Sequence, residues 1–268
     1  MIEKKDLKNL KMFFIFSYLL FWVLLAFTGF LISLDVPVLL QNIVKNLAAA
    51  TPTFVVLIMF KKLYPNVTCK EYLKLHFCKK INPMVFLISL ILQALLVVLA
   101  VFVYYKISRK PLNTMTFIGA ASILPVLIMD LTSGALGEEL GWRGYALNVL
   151  QKKYVPLAAG SIVGVLWGFW HLPLMILSGY SGLELAYYMI AFMVTVISLS
   201  IIITFFYNKS KNILIAMWMH FWLNFLLKIV IIDLLPLIKY LSIGYLILAI
   251  LVVLLNKKEM LKKERQTS

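Results

Sequence analysis

FFIFSYLLFWVLLAFTGFLISL, residues 13–34, decides the fold class: 22 residues without a charge. At about 1.5 Å per residue a helix of this length covers about 33 Å, enough to cross a hydrocarbon core of about 30 Å. It follows MIEKKDLKNLK, exceeds the apolar part of a signal peptide and lacks a small-residue cleavage site, so it reads as a retained first span. The rest of the chain agrees. Of 268 residues, 63% are hydrophobic and 14% charged, and the mean hydropathy is +0.95. A soluble domain is nearer half apolar and a quarter charged. Disorder, a disulfide scaffold and a water-soluble globule are excluded on that ground.

Runs long enough to span recur at Phe13–Leu34, Val38–Phe60, Met84–Tyr105, Phe117–Leu150, Val155–Leu177, Glu184–Tyr207, Asn212–Ile232 and Pro236–Leu255. The expected fold is therefore all-α, a polytopic membrane protein of about eight transmembrane helices forming one domain over residues 1–268. The second run is the weakest, with Gln41, Asn42, Lys45 and Asn46 in its first half. The fourth is too long for a straight crossing. It must tilt, break near Pro125 or begin as an interfacial segment.

Lys and Arg number 26 against 11 Asp and Glu, a formal net charge of +15. On a soluble protein this would suggest nucleic acid; on so apolar a chain it marks cytoplasmic flanks, and no nucleic-acid partner is expected. Nineteen of the 26 flank the expected spans on one side, and only Lys106, Arg109 and Lys110 lie on the other. This places the chain in the cell membrane with both termini cytoplasmic, the lipid bilayer being its standing partner. The basic tail 257–265 is an anchor of that topology. Within the basic loop, EYLKLHFCKKIN (71–82) suits an amphipathic helix on the inner leaflet, with Cys69 and Cys78 as free thiols.

Ionisable groups inside spans are expensive, on the order of 3 kcal/mol each at a helix centre. The chain accepts that cost in three places. GALGEELGWRGYAL (134–147) carries Glu138, Glu139 and Arg143; LWGFWHLPLMIL (166–177) carries Trp167 and His171; MWMHFWLNFLL (217–227) carries His220 and Asn224. Glu139 and Arg143, four apart, share a helix face, while Glu138 points about 100° away toward another helix. Counting rise from the cytoplasmic turns puts Glu138, His171, His220 and Asn224 about 12–24 Å deep, so they can meet.

Such a set serves hydrolysis. A carboxylate beside a histidine can deprotonate water and return the proton to a leaving amine. A second histidine and a carboxamide can stabilise the oxyanion. Alternatively, the carboxylate and imidazoles could hold Zn²⁺, whose bound water attacks. No H-E-x-x-H motif is present. The residues leave the cofactor question open between a metal-free site and zinc.

The three motifs resemble the CAAX protease and bacteriocin-processing family, the Abi or CPBP intramembrane proteases, which include type II CAAX prenyl endopeptidases. E-E-x-x-x-R is met by Glu138, Glu139 and Arg143, an aromatic four before a histidine by Trp167 and His171, and H-x-x-x-N/D by His220 and Asn224. They occur in the family's order in a motif-bearing core of about 117–227. The resemblance implies an intramembrane endopeptidase acting on a membrane-embedded or lipid-associated peptide or protein. It implies that Glu138 activates water with His171 assisting, that Glu139 and Arg143 buttress the site, and that His220 and Asn224 stabilise the oxyanion. It leaves a glutamate and a metallo mechanism both open.

Two other function classes compete. A catalytically silent bacteriocin-immunity or regulatory protein of the same fold would be free to lose motif residues, and here none is lost. A small-solute transporter should show interrupted helices in inverted halves, whereas the polar groups concentrate in the second half. Asp130 is expected to make a polar contact or serve a helix end, Pro173 to bend its helix, and Trp142 to serve packing and cavity lining.

Overall fold

In lipid every backbone N–H and C=O must find a partner within its own segment, and the apolar runs do so as helices. The computed structural model describes residues 3–263; Met1, Ile2 and residues 264–268, including Glu264 and Arg265 of the basic tail, lie outside the described residues. Among the described residues the architecture is all-α, with one isolated antiparallel bridge between Phe117 and Val230. The helices are α1 Lys4–Ser33, α2 Val38–Ala49, α3 Thr51–Ile58, α4 Phe60–Leu63, α5 Cys69–Phe77 and α6 Pro83–Ile107. They continue as α7 Ala120–Gln151, α8 Pro156–Trp170, α9 Leu172–Ile176, α10 Gly182–Ser210, α11 Ile213–Ile229, α12 Leu234–Leu255 and α13 Lys257–Leu261.

Five of these, α1, α6, α7, α10 and α12, are long and apolar enough to cross a membrane, and α8 and α11 are shorter apolar helices. The chain is a multi-pass membrane protein. The expected second span differs most, because it is two helices, α2 and α3, meeting at Ala50. Pro52 stands in the first turn of α3, where its missing N–H costs nothing, and it cannot continue α2. The expected fifth span is likewise α8 and α9 with His171 at the junction, since Pro173 cannot extend α8.

The long fourth span starts at Ala120 and runs through Pro125 without breaking there. Its irregularity lies further on, in π-helical turns at Leu131–Ala135 and Leu140–Leu147. Each widened turn shifts the face on which later side chains emerge, and such bulges gather at functional sites. Glu138 and Glu139 sit on the one α-helical turn between them. Gly137 and Gly141 of this segment face the α2–α3 break. A Cβ on Gly137 would fall 2.8 Å from Ala50 Cα, and one on Gly141 would fall 2.5 Å from Pro52 Cβ. Bare backbone on α7 thus lets it close on the broken span. One contiguous apolar core runs from Leu10 to Met260 around it.

The loop helix expected at 71–82 is α5, which starts earlier, at Cys69, and ends at Phe77. It begins with a capping box in which the Thr68 side chain accepts from Glu71 N and Glu71 reaches back to Thr68 N. Tyr72 and His76 are buried under the bundle, while Cys69 and Cys78 are exposed free thiols.

Candidate active site

Glu138 leaves α7 toward α8, as its offset from the Glu139 face requires. Its Oε2 accepts the indole N–H of Trp167 at 2.6 Å and that of Trp142, one turn along α7, at 3.3 Å. Among the described residues Oε1 carries no protein hydrogen bond. Trp142, expected to serve packing and cavity lining, is therefore a donor to the buried carboxylate. The sequence signal was its place four residues after Glu138, beside the pair already noticed at Glu139 and Arg143.

Glu139 is fully buried, and its Oε1 receives two donors, Arg143 at 2.9 Å and His220 Nδ1 at 2.8 Å. Arg143 is equally buried, and its guanidinium lies 4.4 Å from the centre of the Trp167 ring. Arg143 thus contacts one acid of the pair and the indole that holds the other. It neutralises Glu139 directly and stacks on the indole that holds Glu138. Among the described residues, Nε and one terminal nitrogen of Arg143, and Oε2 of Glu139, have no hydrogen-bond partner. The ion pair therefore rests on few protein hydrogen bonds in a fully buried place.

The histidines have distinct settings. His171 Nδ1 lies 2.9 Å from the carbonyl oxygen of Trp167. A carbonyl only accepts, so Nδ1 carries hydrogen and, in the neutral ring, Nε2 keeps the lone pair. His220 directs Nδ1 to a carboxylate, the partner that suits a doubly protonated ring and then leaves Nε2–H as a second donor. The ring of Trp167 packs edge-on against both, with centroids 5.8 Å from His171 and 4.9 Å from His220. Asn224 stands one turn beyond His220 on α11, and a Cβ on Gly134 would meet its Nδ2 at 2.9 Å. The first π-turn of α7 therefore passes close under both residues.

Glu138, Trp167, His171, His220 and Asn224 line one cavity of about 380 Å³, whose other walls are mainly aliphatic residues of α10, α11 and α12. Of the six expected site residues, four reach this cavity. Glu139 and Arg143 do not; they stand behind it. Asp130, expected to make a polar contact, is buried and accepts from Lys228 at the cavity's edge. Lys228 was not singled out in the sequence, though it continues the four-residue spacing of His220 and Asn224. Among the described residues no three His, Cys, Asp or Glu side chains are grouped to hold a metal ion. Both Nδ1 atoms are committed, His171 to a carbonyl and His220 to a carboxylate, the setting that fixes an imidazole to act through Nε2.

Comparison with known proteins gives the same resemblance as the motifs. Residues 119–226 match the family model of type II CAAX prenyl endopeptidases, Rce1-like. The chain is also 28% identical over 229 residues to CAAX prenyl protease 2 of Methanococcus maripaludis, covering 81% of this chain and 83% of the relative. All seven motif residues, Glu138 to Asn224, lie within the matched segment.

Proposed function

We propose that this chain, similar to the Rce1-like endopeptidases, is an intramembrane endopeptidase that hydrolyses a peptide bond of a membrane-associated peptide or protein. The observation that carries the reading is the convergence of Glu138, His171, His220 and Asn224 from three helices on one cavity. Water held between Oε1 of Glu138 and Nε2 of His171 gives a proton to Glu138 as its oxygen adds to the scissile carbonyl carbon. The resulting oxyanion accepts from Nδ2 of Asn224 and from Nε2–H of the His220 imidazolium. Glu138 then returns its proton to the departing amine as the C–N bond breaks. Glu139 and Arg143 act through others, holding His220 charged and Trp167 in place. The lysine-rich flanks support a cell-membrane location with both termini cytoplasmic.

The test is comparative peptidomics of cells carrying the wild-type chain and Glu138→Gln or His171→Ala. Peptides released by the wild type should be missing from both variants at equal membrane levels of protein. Wild-type release by either variant would sink the assignment. His220→Ala and Asn224→Ala should lower kcat by about 10²–10³-fold, the usual loss of an oxyanion donor. A rise in KM alone would make them substrate-positioning residues.

A further inference from the structure

The cavity has a closed end and an open one, and α11 measures the direction between them. His220, Asn224 and Lys228 fall on one face of this helix at four-residue spacing, and all three line the cavity. His220 is 3% exposed, whereas the Lys228 side chain is 49% exposed. Beyond Lys228 the lining continues through Ile232 in the turn and Leu234 at the start of α12, both partly exposed. In the other direction the interior is sealed. Ile213, Ala216, Leu147 and Ile203 are fully buried. Beneath them Tyr72 of α5 plugs the bundle, its hydroxyl reaching the Leu140 carbonyl.

Hydrogen bonds identify the two faces of the bundle. At the sealed end, Asn212 Nδ2 bonds the carbonyls of Phe77 and Lys79, Gln151 pairs with Asn208, and Lys152 pairs with Asp6 of α1. This ties the lysine-bearing segments around 4–11, 61–80, 152–153 and 209–211 into a single face. At the open end, Ile231 N bonds the Thr116 carbonyl, and the Tyr180 hydroxyl bonds Asp233. That joins the connections around 108–119, 178–181 and 230–233, where basic residues are few. The lysine-rich face is the cytoplasmic one by the positive-inside rule.

We infer that the cavity is entered from the extracytoplasmic face, so that its substrates are polypeptides presenting an apolar segment at the outer leaflet. The chemistry of this inference rests on the peptidase reading, but the choice of face rests only on where the cavity opens and where the lysines lie. Aliphatic walls at Val196, Leu199, Leu223, Leu227, Ile238 and Leu241 suit apolar side chains flanking the cut bond.

The native cysteines supply the reference, since Cys69 and Cys78 are exposed on the lysine-rich face. Cells expressing the full chain with Cys69→Ser, Cys78→Ser and Ile232→Cys are treated with a membrane-impermeant maleimide, intact or permeabilised. Ile231→Cys, at a position 58% exposed in the same turn, is the second probe should Ile232→Cys disturb folding. Intact cells should label either variant as fully as permeabilised ones, and should label the wild-type cysteines at least about tenfold less than permeabilised cells do. Labelling of the 231 and 232 variants only after permeabilisation, or of the wild-type cysteines in intact cells, overturns the inference. Labelling requires no catalysis, so that result would leave peptide hydrolysis standing, whereas cleavage by Glu138→Gln would remove the peptidase reading alone.

Discussion

Trp167 on α8 donates its indole N–H to Oε2 of Glu138 on α7 at 2.6 Å, across 29 residues of chain. The same ring lies under the Arg143 guanidinium at 4.4 Å. One side chain therefore aims the carboxylate assigned to water and supports the cation that neutralises its neighbour.

Trp167→Phe keeps an aromatic ring and removes the donor. The carboxylate then keeps only the 3.3 Å bond from Trp142. Misplacement of a reacting group by about 1 Å can cost about 10²-fold. The variant should lose about tenfold to a hundredfold in kcat with little change in KM. Steady-state kinetics on a peptide found by peptidomics checks this, and an unchanged kcat would remove Trp167 from the positioning of Glu138.

Glu139→Gln leaves Arg143 and His220 buried without their shared anion. Breaking a buried pair by removing one partner costs about 3–5 kcal/mol, because the remaining charge is uncompensated. The variant should melt well below the wild type in detergent. Equal melting temperatures would mean that the pair contributes specificity rather than stability.

Gly141→Ala places a methyl group 2.5 Å from Pro52 Cβ, with backbone of Pro52 at 2.7 Å. Backbone cannot step aside as a flexible side chain can, so α7 must move off α3. Overpacking of this kind costs about 1–3 kcal/mol. Gly119→Ala, with nothing within 4 Å of the added carbon, is the control. Thermal melts should separate the two, and indistinguishable melts would refute the close approach.

Burial pushes the His76 imidazole down from 6.5 to about 4, with Lys79 adding to the shift. The unfolded chain then takes up a proton below about 6.5 that the folded chain refuses until about 4. The neutral ring's contribution is fully present above that window and is lost as pH falls through it. Between pH 7.5 and 4.5 the wild type should lose more thermal stability than His76→Phe. Equal losses would show that His76 does not set the slope.

Much of this was legible in the chain by physical necessity. Residues 13–34 had to be a spanning helix, because an uncharged run of that length has no other way to satisfy its backbone in lipid. Glu139 and Arg143, four apart, had to face one another, and their bond is 2.9 Å. The order of Glu138, His171, His220 and Asn224 along the chain also named the helices that would have to meet.

Other features depended on contacts between segments far apart in sequence. Pro173 announced a bend, but only packing set it at His171 itself and placed the break at Ala50 against Gly137 and Gly141. The π-turns of α7 have no composition that marks them; they show once neighbouring helices decide which side chains must emerge where. That His220 serves Glu139 while Trp142 and Trp167 serve Glu138 was undecided by spacing, because a helix face has several neighbours until the bundle closes. The lysine count gave the expected cytoplasmic face under the positive-inside rule, but which end of the cavity is sealed was decided by Tyr72, Ile213 and Leu147. Local periodicity acts within a helix. The site is made between helices, where only the packed arrangement sets distance and direction.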